Sequence, residues 1–175
     1  ITKVSKSNDE WLMEIGQSRI RALPLGDGEK LRGFRFQRII IDEFLLMPER
    51  IYNEVIVPFL SVVENPTQRQ ELYGLETMLI EQGKMKEEDR YVWPNNKLIA
   101  LSSASYKFEY LYKLYNQFDF LITQENKRDK ATRCIMQFSY DCAPSQLYDQ
   151  NLVNQAKATM SQSQFDREFG AVFTD

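Results

Sequence analysis

Hydrophobic and polar positions follow two different periods along the chain, and the switch between them predicts the elements. Residues 11–15 (WLMEI) and 19–23 (RIRAL) flank Gly16-Gln17-Ser18. Two short β-prone runs around a turn predict a hairpin. A polar loop covers 26–30. Residues 38–42 (RIIID) place three β-branched apolar residues in succession before an acid. That pattern predicts a strand buried on both faces, as in a parallel sheet. Pro48 can open a helix, and Ile51, Val55, Ile56 and Leu60 then recur at helical spacing. Pro66 breaks it. Leu72, Leu75, Met78 and Leu79 mark a second amphipathic helix over 68–84, and 84–90 (KMKEEDR) reads as a solvated charge run.

Residues 97–101 (KLIAL) predict another short buried strand, running into Ser102-Ser103-Ala104-Ser105. A helix over 107–118 follows, with Phe108, Leu111, Leu114, Tyr115 and Phe118 on one face. Residues 132–140 (TRCIMQFSY) predict a third central strand, and Pro144 ends the link after it. Two short helices are predicted at 150–160 and 162–169, with Ser161 as N-cap of the second. Strands alternating with helices mean an α/β domain with a mainly parallel sheet.

Composition narrows the picture. The chain has 175 residues, 43% hydrophobic and 27% charged, with 7 Gly and 6 Pro. It is long enough for one domain with its own core, and it is neither disordered nor collagen-like. No apolar run approaches the roughly 20 residues that span a bilayer. The net charge is −3, which argues against a small domain held to nucleic acid by bulk charge. Absence of histidine removes Ser-His, Cys-His and His-metal chemistry from within the chain. Cys134 and Cys142 read as two reduced thiols.

Candidate chemistry concentrates at two strand ends. The strand at 38–42 runs into Glu43, so Asp42 and Glu43 stand at the carboxyl edge of a sheet, where open α/β folds bind ligands. Nucleotide hydrolysis needs such a pair: one carboxylate to hold the hydration shell of Mg²⁺, the other to orient and deprotonate water. Arg32-Gly33 lies ten residues before Asp42, and a loop arginine can set a permanently charged fork against a γ-phosphate. The second strand ends in Ser102, Ser103 and Ala104, whose hydroxyls can bond a catalytic carboxylate.

Taken in order, GQSRIRALPLGDGEKLRG (16–33), RIIIDEF (38–44), LIALSSA (98–104) and FDREFGAVF (165–173) resemble the ATPase domain of the large terminase subunit of tailed bacteriophages, the motor that packages viral DNA. The likeness covers most of the chain, with 66–94 as a longer insertion. It implies a P-loop NTPase-like domain with a mainly parallel sheet flanked by helices. It implies that Asp42, matching the Walker B aspartate, holds Mg²⁺, and that Glu43 activates water. It further implies that Ser102, Ser103 and Ala104 couple ATP hydrolysis to DNA movement, and that Arg32 acts as a finger toward a neighbouring subunit. Residues 1–145 would be the Walker B and coupling part of the ATPase domain, and 146–175 a helical lid or linker leading to a nuclease domain. The implied partners are double-stranded DNA, a portal protein, a small terminase subunit and further copies in a ring, with no membrane, in the host cytoplasm during virion assembly.

The sequence departs from the family in one respect. A phosphate cradle needs a glycine-rich turn followed by Lys and Ser or Thr, and no Gly-Lys-Ser or Gly-Lys-Thr occurs; Gly83-Lys84-Met85 comes nearest. The expectation is an internal piece of a longer polypeptide, its Walker A part upstream and its nuclease downstream, inactive by itself. Lys127, Arg128 and Lys130 form the basic loop that could touch DNA phosphates without reading sequence. Two alternatives share these motifs. A helicase-like ATPase pairs the same acids with a small Ser-containing strand end. A non-catalytic α/β module would use Tyr106, Phe108, Tyr110, Tyr112 and Tyr115 as an interaction face.

Overall fold

The computed structural model describes residues 2–26, 28–124 and 132–175. It is an α/β arrangement with two separate sheets. The first is an antiparallel meander of β1 (Lys3–Lys6), β2 (Trp11–Ile15) and β3 (Ser18–Ala22). Gly16, at φ 58°, opens the two-residue turn between β2 and β3, a backbone region that glycine enters without steric cost. Val4, Met13 and Ile20 lie in one row across the three strands. Glu14 and Arg19 are cross-strand partners on the opposite face, joined by an ion pair of 3.0 Å.

The second sheet is a parallel pair, β4 (Arg38–Ile41) and β5 (Lys97–Ala100), in register from Arg38 opposite Lys97 to Ile41 opposite Ala100. Period-2 alternation decides what each face does. Ile39, Ile41 and Leu98 face the core, together with Phe44, Met47, Ile51, Tyr52, Val55, Ile56 and Phe59. Most of these come from the helical run that starts at Pro48: α-helical Glu49–Ile51, a π turn over Tyr52–Ile56, then Val57–Phe59. The π turn puts Tyr52, Val55 and Ile56 all inside. Leu111 and Leu114 of the helix Tyr110–Gln124 pack on the same cluster. Gly28 sits where a Cβ would come within 3.1 Å of Ile51, and its φ of 80° suits glycine, so the polar loop closes directly onto this helix.

Four expectations need correction. The strand at 38–42 is buried on one face only: Ile40 and its partner Ile99 are 69% and 50% exposed. The sheets are not mainly parallel, because the larger one is the meander. The third central strand at 132–140 does not form. Residues 132–139 join no ladder among the described residues, and Met136 and Phe138 are exposed. Apolar alternation makes a strand only where a free edge lies alongside, and the bond recorded for Tyr140 N–H goes instead to the Phe169 carbonyl. The charge run at 84–90 is not wholly solvated, since the Arg90 side chain is mostly buried against Tyr73, Glu76 and Glu87.

The C-terminal helices Gln150–Thr159 and Gln162–Glu168 join through Val153, Ala156 and Phe165. Asp149 caps the first, and Ser161 Oγ accepts from Gln164 N–H to cap the second, as its sequence predicts. The tail then returns to the body. Thr174 bridges Tyr106, and the Phe173 ring lies 5.0 Å from both Tyr112 and Tyr115. No helix among the described residues is long and apolar enough to cross a membrane.

Candidate functional site

The carboxyl ends of β4 and β5 open into one cleft of about 320 Å³, lined by Asp42, Glu43, Leu45, Leu46, Ser102, Ser103 and Glu168. The parallel register causes this: strands pointing the same way end at the same edge, so acids following Ile41 and hydroxyls following Leu101 become neighbours. Backbone bonds continue the pairing past the strands. Leu101 N–H donates to the Ile41 carbonyl and Phe44 N–H to the Leu101 carbonyl, both at 2.9 Å.

Two side chains shape the loop. Asp42 Oδ1 accepts from Glu43 N–H at 3.0 Å, and Ser102 Oγ accepts from Leu45 N–H at 3.0 Å. The Ser102 hydroxyl therefore ties the acid-bearing loop to the tip of β5 and keeps its own proton free to donate. Phe44 is 1% exposed and anchors the turn from beneath. Between these fixed points Glu43 adopts φ 51° and ψ 47°. A non-glycine residue in the left-handed region costs about 1–2 kcal/mol, and such strain tends to persist where the surroundings over-determine it.

Glu168 is the residue that sequence reasoning missed. It sits at the end of the helix Gln162–Glu168, more than sixty positions from Ser102, and its role depends wholly on how that helix docks. Its neighbour Arg167 does the docking. Arg167 donates to Ser163 Oγ at 2.9 Å, Thr174 Oγ1 at 2.8 Å and the Tyr106 hydroxyl at 2.9 Å. Its guanidinium lies 3.8 Å from the Tyr106 ring centre, a cation–π contact. Ser105, 2% exposed, donates to the Tyr106 carbonyl. The segment after Ser102-Ser103-Ala104 is thus clamped to the helix that presents the third carboxylate. The only sequence hint was the acid in FDREFGAVF.

Arg32 does not line the cleft. Its guanidinium pairs instead with Glu29 at 3.2 Å and Glu54 at 3.5 Å. Ala104 is buried and does not line the cleft, while Ser102 and Ser103 border it. Lys127, Arg128 and Lys130 lie outside the described residues. The aromatic series from Tyr106 to Tyr115 is largely used internally: Tyr110 packs on Phe44 and Tyr52, and Tyr112 and Tyr115 hold Phe173.

No group of three or more His, Cys, Asp or Glu side chains among the described residues is arranged to cage a metal. Mg²⁺ needs no such cage, since it keeps most of its water and uses one or two carboxylates plus substrate phosphates. An exposed Asp42 carboxylate with hydroxyls nearby fits that demand. No protein-family model, no curated protein and no solved structure matches the chain.

Proposed function

We propose that this chain is the Walker B and coupling part of a DNA-packaging motor ATPase of the terminase large-subunit kind, with a P-loop NTPase-like architecture completed by a phosphate cradle outside residues 1–175. The observation that carries the reading is the shared cleft: Asp42 and Glu43 meet Ser102 and Ser103 at the carboxyl edge of adjacent parallel strands. In this reading Asp42 holds the hydration shell of Mg²⁺. When bound, the ion neutralises charge on the phosphate oxygens of ATP. Glu43 orients the attacking water and takes its proton as the water adds in line to the γ-phosphorus, while the bond from that phosphorus to the β–γ bridging oxygen breaks and ADP leaves. Leu45 and Ser102 then give the site a mechanical outlet. A shift of the acid loop pulls on the Leu45–Ser102 bond, and so on the segment that leads to Tyr106 and the clamped C-terminal helix. Double-stranded DNA, the portal, the small subunit and a ring of copies are the partners this reading implies, and host cytoplasm is its setting.

The test is made on a polypeptide that joins residues 1–175 to the cradle. Glu43→Gln keeps ATP binding and lowers hydrolysis by roughly 10²–10⁴-fold. Asp42→Ala removes the dependence of ATP binding on Mg²⁺. Unchanged hydrolysis in the Glu43→Gln protein would remove the catalytic assignment.

A further inference from the structure

Arg167 is half-buried, and among the described residues no carboxylate pairs with it. Its acceptors are neutral hydroxyls, those of Ser163, Thr174 and Tyr106. Ser163 Oγ donates to Thr174 Oγ1 at 3.0 Å, so the acceptors are themselves linked. Taking a charge out of water without a counter-ion costs stability, and hydrogen bonds and an aromatic face offset that cost. Attaching a helix to the body needs no such arrangement, since well-packed apolar side chains do it without a buried charge. What a planar guanidinium adds is fixed geometry.

That geometry reaches the acid loop through an unbroken series of contacts. Arg167 holds the Tyr106 hydroxyl and covers its ring. The backbone on either side of Tyr106 is tied as well: Thr174 N–H donates to the Ser105 carbonyl at 3.3 Å, and Lys107 N–H to the Thr174 carbonyl at 2.8 Å. Ala104 and Ser105 are buried, so the stretch from Tyr106 back to Ser102 is packed and passes a displacement on. Ser102 Oγ then accepts from Leu45 N–H, two residues after Glu43.

We infer that Arg167 is a positioning residue of the cleft: through Tyr106 and the segment 102–106 it sets where Ser102 holds the acid loop, and so where Glu43 stands. The reaction it serves rests on the nucleotide reading above; its hold on the Leu45–Ser102 bond does not.

Two measurements test this. On the 175-residue chain, Arg167→Ala speeds hydrogen exchange at the Leu45 amide by at least about tenfold. Lys107→Gln removes the Lys107–Asp175 ion pair, which joins the same two segments, and leaves that amide unchanged. Unchanged exchange in Arg167→Ala, or equal acceleration in both variants, overturns the inference. On the polypeptide that includes the cradle, Arg167→Ala lowers kcat by roughly 10–100-fold and leaves KM within about twofold. Arg167→Lys keeps the charge without the fork and does not restore the rate. Tyr106→Phe keeps the ring and loses the hydroxyl, so its loss is smaller. Arg167→Ala combined with Ser102→Ala falls no further than the worse of the two single variants, because both cut one route. Additive losses, or an unchanged kcat in a less stable protein, overturn the assignment. Should Arg167→Ala not fold, Tyr106→Phe carries both measurements. Unchanged hydrolysis in Glu43→Gln removes the nucleotide reading instead, and Leu45 exchange still decides whether Arg167 positions the loop.

Discussion

Glu43 carries two demands at once. It lines the cleft, and it is held with φ at 51° between Asp42, whose carboxylate accepts its amide, and Phe44, which is locked in the core. Removing its side chain in two ways separates the demands. Glu43→Ala keeps a Cβ in the left-handed region, whereas Glu43→Gly removes it. The glycine protein is therefore more stable than the alanine protein by about 0.5–1 kcal/mol, measured by urea unfolding. Equal stabilities would mean that the backbone there carries no strain. The paired acids were legible in the sequence because three β-branched residues fix a short strand, and whatever follows it must lie at the sheet edge. Ser102 and Ser103 were legible for the same reason. Their meeting was not, since it depends on β4 and β5 being neighbours in the same direction. Glu168 was beyond reach, because the clamp of Arg167 on Tyr106, Ser163 and Thr174 is made only in three dimensions.

Elements show where periodicity is a sufficient guide. Helical spacing placed the run at 49–59, the helix Pro66–Glu81 and both C-terminal helices to within a few residues. It did not tell which face of Pro66–Glu81 is covered. Leu75 and Met78 are exposed, and the one buried residue of that helix is Glu76. A carboxylate takes that place because the chain after the helix folds back over it. Glu76 Oε1 accepts from Tyr91 N–H at 2.8 Å, and Arg90 lies 3.7 Å from its other oxygen. Arg90 also stands over the Tyr73 ring, and the hydrogen bond to Glu87 raises its already high pKa. Glu76 is thus the peg that fixes the strap at 87–94. Glu76→Ala leaves the Tyr91 amide without that acceptor and costs about 1–3 kcal/mol of stability. Glu76→Gln keeps an oxygen acceptor and costs less. Hydrogen exchange at Tyr91 reads the difference directly: fast in the alanine protein, slow in the glutamine protein. The failed strand at 132–140 teaches the reverse lesson. Its alternation of Arg133 and Ile135 with exposed neighbours is real, but no strand edge lies beside it among the described residues, and pattern alone supplies none.

At the scale of the whole molecule, one aromatic cluster ties the site to its supports. Phe44, directly after the acids, meets Tyr52 edge-on at 5.3 Å and Tyr110 at 6.2 Å, and the two tyrosine rings are 5.8 Å apart. Acid loop, π turn and the helix Tyr110–Gln124 therefore share one packing unit, and disturbing any ring loosens the floor of the cleft. Burial gives this unit a pH response. Desolvation raises the pKa of Tyr52 above its usual value, and it pushes Tyr110 up to about 12, with smaller contributions from the nearby Tyr52 and Glu49. A tyrosine is neutral when protonated, so the folded state holds these protons more tightly than the unfolded chain. Their contribution to stability is complete below the ordinary tyrosine value near 10 and is lost as pH rises from there toward about 12. Phenolate absorbance followed against pH reads this for the buried pair: Tyr52 and Tyr110 ionise late. The last to ionise do so only as the protein unfolds. Tyr110→Phe removes the most strongly shifted phenol, so stability in that protein falls less between pH 10 and 12 than in the parent. Were Tyr52 and Tyr110 to titrate near 10 with the fold intact, the cluster would be wetter than its packing requires, and the link from the acid loop to the helices beneath it would have to be abandoned.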